Sequence, residues 1–172
     1  MEHVYESPEV NVFCAVSSCK VYGPFFFAEP TVTGIDYLDV LQLWLMPQLE
    51  EDSEDFIFQQ DRALLHFNFD VRAHLSANLP GRWIGRASHN DSPLLPWPPQ
   101  SPDLTPCNFI LWGYIKNRVY VPPVPRDLPQ LRQRIVEAVA AIDCQMLQRV
   151  LQKLDYRIDI CRVTKGAHIE HL

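Results

Sequence analysis

The sequence predicts an α/β fold, and three observations carry that prediction. Two short runs rich in β-branched and aromatic residues open the chain, at Val10–Ser17 and Val21–Glu29. Apolar residues at helical spacing follow between Ile35 and Glu51, ahead of another short apolar run at Asp55–Asp61. Helical patterns then fill most of the last third. Strands and helices alternating in this way predict a sheet flanked by helices.

Each element has its own reason. Val10–Ser17 (VNVFCAVS) reads as a buried strand, because its residues suit a pleated, half-buried surface. Ser17–Lys20 (SSCK) turns the chain into Val21–Glu29 (VYGPFFFAE), so the pair predicts a hairpin. Tyr37, Leu38, Leu41, Leu45 and Leu49 recur at three- and four-residue steps and share one helix face. Asp55–Asp61 (DFIFQQD) predicts a strand with Asp61 at its carboxyl end. A helix is expected over about 68–78, stopped by Pro80-Gly81. Leu94–Trp97 (LLPW) reads as a short strand before the rigid loop PPQSPDLTP, and residues 107–119 place Phe109, Trp112 and Ile115/Lys116 at helical spacing. Two more helices follow. The first carries Leu128, Leu131, Ile135, Val139 and Ile142, and the second starts after Asp143 as N-cap and carries Met146, Val150, Leu151 and Leu154. Both stripes read as core. No repeat and no hinge between domains is visible, and the first nine residues show no sustained pattern.

Composition bounds the function. At 172 residues the chain is long enough for one domain with a real core. Its 15 prolines concentrate between Pro93 and Pro129, marking a loop-rich region. The net charge of −6, with acids bunched at Leu49–Phe56 (LEEDSEDF), argues against an autonomous DNA-binding module, which carries a basic face. Basic residues are local: Arg82 and Arg86, Lys116 and Arg118, then Arg126, Arg132 and Arg134. The five cysteines (Cys14, Cys19, Cys107, Cys144, Cys161) are odd in number and irregularly spaced, so reduced thiols are expected rather than a disulfide framework. Cys161, His168 and His171 include zinc-ligating types, but without a paired C-x-x-C they do not make a zinc signature. No apolar run reaches the roughly 18 residues a membrane helix needs, so no membrane partner is expected. Ligands in open α/β sheets bind beyond the carboxyl ends of strands, which singles out Asp61.

Three stretches carry a family likeness. Phe56–Phe67 (FIFQQDRALLHF), Leu94–Pro123 (LLPWPPQSPDLTPCNFILWGYIKNRVYVPP) and Arg162–Leu172 (RVTKGAHIEHL) resemble the catalytic domain of mariner-type transposases. The likeness covers nearly all of the chain from Val10, and the pairing of D-x-A-x-x-H with S-P-D-L-x-P is specific. The resemblance implies an RNase H-like fold of the DDE/DDD superfamily and metal-dependent cut-and-paste chemistry on DNA. In that chemistry three carboxylates hold two divalent ions, Mg²⁺ or Mn²⁺, one activating the attacking oxygen and one stabilising the leaving oxygen.

The resemblance carries over residue by residue. The second acid matches Asp61, with Ala63 and His66 also in pattern; the third-acid position, two residues past SPDLTP, is Asn108. Asn108 keeps the shape of Asp but loses its charge, and its amide nitrogen cannot ligate a cation. Asp103 lies within the second signature and organises the turn there. Arg62 stands where the family has a small or amide residue, and a cation beside Asp61 would compete with a metal. The first acid is expected on a strand ahead of Val10.

These residues imply one incomplete RNase H-like domain over 1–172, a mixed sheet truncated at its N-terminus with the first central strand missing, a helical C-terminus, and poor structure over 1–9. Without that strand the hairpin and the Asp55–Asp61/Leu94–Trp97 pair are expected to share no neighbour. The expected function is a transposase-derived, nucleic-acid-binding type of domain without catalysis, touching DNA weakly and without sequence preference through Arg82, Arg86, Lys116 and Arg118. The alternative is a non-enzymatic interaction protein that pairs with itself or an intact transposase. A one-metal nuclease using Asp61 and Asp103 is a third, less supported reading. Nuclear localisation is implied by the family's substrate alone.

Overall fold

The computed structural model describes residues 9–60, 64–96 and 111–152. The chain divides into two compact units, Thr31–Thr105 and the pair of segments Met1–Pro30 and Pro106–Leu172.

In the discontinuous unit, β1 (Val12–Val16) and β2 (Val21–Phe26) form the expected antiparallel hairpin. Its register pairs Val12 with Phe26 and Val16 with Val21, with an irregularity between Phe13 and Ala15. The turn closes through Ser17 N–H to Lys20 O at 2.8 Å. Helix α4 (Trp112–Val119) and helix α5 (Leu128–Ala140) pack on the hairpin. The core is Cys14 with Leu111, Ile115, Val119, Leu131, Ile135, Ala138 and Val139, so the expected stripe of α5 is buried from Leu131 to Val139, while Leu128 is half out in solvent. Asp127 caps α5 by accepting from Gln130 N–H at 2.9 Å. Asp143 does the same for Met146 N–H at 2.8 Å, starting helix α6 over 144–152. Expectations for Phe109 and Leu154 fall outside the described residues.

The expectation of reduced thiols is corrected at one pair of cysteines, while Cys14 is a free thiol. Cys19, in the hairpin turn, is joined by a disulfide to Cys144, the first residue of α6, across 125 positions of sequence. Spacing along the chain carried no sign of it, because the fold alone brings the two together.

The continuous unit begins with one long helical run: α1 (Gly34–Asp39), a π-helical segment (Val40–Leu45) and α2 (Met46–Asp52). Thr33 and Asp36 form a capping box at its start. Tyr37, Leu41 and Leu45 are buried as the periodicity predicts, and Val40 and Met46 are buried with them. Helix α3 (Phe69–Asn78) starts at Asn68, whose side-chain Oδ1 accepts from Asp70 N–H at 2.8 Å, and buries Val71 and Leu75 against α1. It stops before Pro80-Gly81, where Gly81 sits at φ 67°, a left-handed conformation that glycine adopts without steric cost.

The sheet of this unit is parallel, in the order β3 (Phe58–Gln59), β4 (Trp83–Gly85), β5 (Leu95–Pro96). The middle strand, Trp83–Gly85, was not expected, and it corrects the direct pairing of the runs at 55–61 and 94–97. Three residues are too short a run for period-two alternation to register, yet Trp83 is fully buried. Among the described residues the two sheets share no strand: one holds β1 and β2, and β3 lies at the edge of the other. No helix among the described residues is long and apolar enough to cross a membrane.

Candidate nucleic-acid site

Parallel strands bring their carboxyl ends to one edge, and the residues leaving that edge are the natural site. β3 is extended by Gln60, whose N–H donates to Ile84 O at 2.9 Å; Asp61 follows in sequence. β4 runs out at Gly85 and Arg86.

Gln60 organises this edge. It is the one polar side chain among the buried described residues, at 4% exposure. Its Oε1 accepts from the Tyr37 hydroxyl at 2.9 Å, and its Nε2 donates to His66 O at 3.0 Å. Both ends of the side-chain amide are thus satisfied, as burial requires. Tyr37 also stacks on His66, with ring centroids 4.2 Å apart. The strand end at Gln60 is therefore tied across six residues to the 3₁₀ turn Leu64–Phe67. Gly85 gives the amide its room: a Cβ there would lie 2.9 Å from Gln60 Cγ. Sequence reasoning noted the run QQD but not this role for Gln60 or Tyr37.

A second cluster lies beyond α3. Arg72 Nη1 bonds Asp91 Oδ2 at 2.6 Å and Ser88 Oγ at 3.0 Å, and its Nε donates to Phe67 O at 3.0 Å. Burial by itself would raise the Asp91 carboxyl; it is outweighed by the Ser88 backbone N–H and by the hydrogen bond and charge of Arg72, with the Ser88 hydroxyl adding to them, so the carboxyl is held below its usual range. The guanidinium carbons of Arg72 and Arg86 lie 4.2 and 4.3 Å from the centroid of the Phe67 ring.

The four cations expected to meet DNA are placed differently. Arg86 is exposed just past the carboxyl end of β4. Arg82 precedes β4, at its other end, where Nη2 is occupied by Glu54 O at 2.6 Å and Phe56 O at 3.1 Å. Lys116 and Arg118 belong to the other unit, exposed on α4, with Arg118 over the Tyr114 ring at 4.8 Å. Lys116 borders a groove of about 210 Å³ together with Val10, Val12, Trp112, Tyr120 and Leu131. Arg134, in contrast, is spent on the carbonyls of Val119, Val121 and Pro123.

Asp61, Asp103 and Asn108 lie outside the described residues, as do Cys161, His168 and His171. Among the described residues no group of three His, Cys, Asp or Glu side chains could hold a metal ion. At the two positions that the sequence signatures single out, the residue types are one carboxylate, Asp61, and one neutral amide, Asn108.

No protein-family model matches the chain. It is 31% identical over 153 residues to the Tc3 transposase of a transposable element of Caenorhabditis elegans, a match spanning 84% of this chain and 41% of that protein. The chain thus spans less than half the length of this curated relative. Its fold superposes on the Mos1 transposase catalytic domain, determined with raltegravir and Mg, with a TM-score of 0.70 and 22% identity. That superposition covers 91% of this chain and 75% of the other.

Proposed function

We propose, for a chain that belongs to the mariner/Tc1-type DDE transposases and corresponds to part of their RNase H-like catalytic domain, a nucleic-acid-binding role without DNA-cleaving chemistry. Asn108 carries the reading. A phosphodiester transfer through two ions needs both ions held by shared carboxylates, and a neutral amide at this position removes the charge that offsets their mutual repulsion. Binding asks less of the chain than cleavage does. Exposed Arg86, Lys116 and Arg118 supply point charges for phosphates, and aromatic rings lie beside Arg86 and Arg118. With a net charge of −6, such contact is weak and independent of sequence.

The test is a nicking assay on supercoiled plasmid with millimolar Mn²⁺ or Mg²⁺, run beside a binding titration. The expected result is no nicking by the chain or by its Asn108→Asp variant, with binding that falls steeply as salt rises. Metal-dependent nicking that disappears in Asp61→Ala would overturn the reading. So would binding insensitive to salt.

A second reading, an interaction protein that pairs with a transposase or another copy, is supported by the exposed apolar side chains Tyr120, Val121 and Val124 of the discontinuous unit. Retention of a full-length transposase on the immobilised chain tests it; a monomer that retains none rejects it.

A further inference from the structure

We propose that Cys19 and Cys144 form a reversible thiol–disulfide modification site, opened by a low-molecular-weight dithiol and governing whether α6 stays docked on the hairpin. The site is independent of the nucleic-acid reading. Its two halves come from opposite ends of the sequence: Cys19 sits in the turn between β1 and β2, and Cys144 is the first residue of α6. The turn is held by its own short-range bonds, with Ser17 Oγ accepting from Lys20 N–H at 3.1 Å. Cys144 follows the cap formed by Asp143, and Gln148 Nε2 reaches its sulfur at 3.6 Å. Each half is thus locally ordered without the bond, so opening the bond does not by itself dissolve either.

Accessibility sets the chemistry. Cys19 is exposed and Cys144 half-buried, so an attacking thiolate reaches the Cys19 sulfur and expels Cys144. Cys144 leaves as a thiolate at the first turn of α6, where the orphan N–H groups and helix dipole favour negative charge. The mixed disulfide on Cys19 is then displaced by the second thiol of the reagent. The reagent closes to a cyclic disulfide and gives up two electrons; the protein ends with two thiols after the thiolates take up protons. An oxidised thiol pair such as glutathione disulfide runs the sequence backwards. Cys14, buried in the core, is kept from the exchange.

The bond has something to release. Leu147 and Val150 of α6 are buried, and with Val16, Leu111, Tyr114 and Ile142 they line an apolar pocket. Loss of the tether raises the entropy available to the undocked helix, so α6 opens more often and this lining meets water.

The experiment compares the full chain, oxidised with glutathione disulfide, with the same chain after dithiothreitol. Peptide mapping under non-reducing conditions reports the bond, and amide hydrogen exchange reports α6. We expect a Cys19–Cys144 cross-linked peptide that vanishes with dithiothreitol and returns on reoxidation. Exchange over 144–152 should rise by about tenfold or more on reduction while α3 is unchanged. The Cys19→Ser/Cys144→Ser double variant should show the reduced pattern and ignore dithiothreitol. Absence of the cross-linked peptide, failure to reform it, or unchanged exchange in α6 overturns the proposal. Loss of protection throughout the chain on reduction does so as well, since the bond would then be a structural staple. A double variant that still responds to dithiothreitol assigns the effect to other cysteines and equally rejects the site.

Discussion

Replacing Asp91 by Ala tests the cluster that fastens α3 to the turn after β4. Its side chain is 8% exposed and that of its partner, Arg72, 11%. The substitution removes the 2.6 Å ion pair and the carboxylate that accepts from Ser88 N–H at 2.7 Å. A buried pair broken on one side costs roughly 3–5 kcal/mol, because the surviving charge stays desolvated. Arg72 keeps Phe67 O, Ser88 Oγ and the face of Phe67, which places the expected loss near the bottom of that range, about 3 kcal/mol. With a denaturant slope of about 2 kcal/mol per molar, the urea midpoint followed by circular dichroism falls by roughly 1.5 M. Asp91→Asn, which keeps an acceptor for Ser88, should lose about half as much. The acid limb gives a second readout. The folded carboxyl titrates below its unfolded value, so its contribution is fully present above the ordinary Asp range and disappears as pH falls through the folded value. Wild type should therefore lose stability over that window, and Asp91→Ala should show a flatter acid limb. An Asp91→Ala midpoint within about 0.2 M of wild type, with an unchanged acid limb, would refute the reasoning.

Three further outcomes follow from the same geometry. Gln60→Leu removes the amide that bonds both the Tyr37 hydroxyl and the His66 carbonyl and should cost about 1–3 kcal/mol in urea unfolding; a loss below about 0.5 kcal/mol would show that the tie is not stabilising. Gly85→Ala sets a methyl 2.9 Å from Gln60 Cγ, and because both ends of that amide are held, a loss of about 1–3 kcal/mol is expected; an unchanged midpoint would mean the amide moves freely. Removing Lys116 and Arg118 together should flatten the log–log salt dependence of DNA binding by about 1–2, whereas Arg82→Ala, its guanidinium already bonded to two carbonyls, should leave the slope unchanged and lower stability instead.

Where apolar spacing is long and regular, the fold could be read from the sequence. Tyr37, Leu41 and Leu45, and Leu131, Ile135 and Val139, are buried as their periods predict. Asp143 marked the start of its helix as the expected N-cap, while Asp127 and Asn68, which also bond the N–H groups of the turn that follows, were not read as caps in the sequence. Trp83–Gly85 escaped because a three-residue strand has no period, and its place is fixed by neighbours from 58–59 and 95–96. The Tyr37–Gln60–His66 tie escaped because it joins a helix, a strand end and a turn, and a glutamine in a strand pattern carries no sign of what it bonds. Arg82 looked identical to Arg86 as a charge; only the fold separates the one occupied by carbonyls from the one left in solvent. The family signatures point to Asp61, Asp103 and Asn108 from residue identity alone, and all three lie outside the described residues.

The disulfide has a mechanical consequence. It joins positions 125 apart, so the whole of Thr31–Thr105 lies inside a covalent ring. A pull applied at Met1 and Leu172 runs through the first 19 residues, crosses the sulfur–sulfur bond, and leaves by the residues from 144 onward. The parallel sheet and its helices bear none of that load while the bond is closed. A translocating protease or a stretched tether would extend only the two tails, then stall at the ring; once the bond is open, the same force passes through every element of the chain in series.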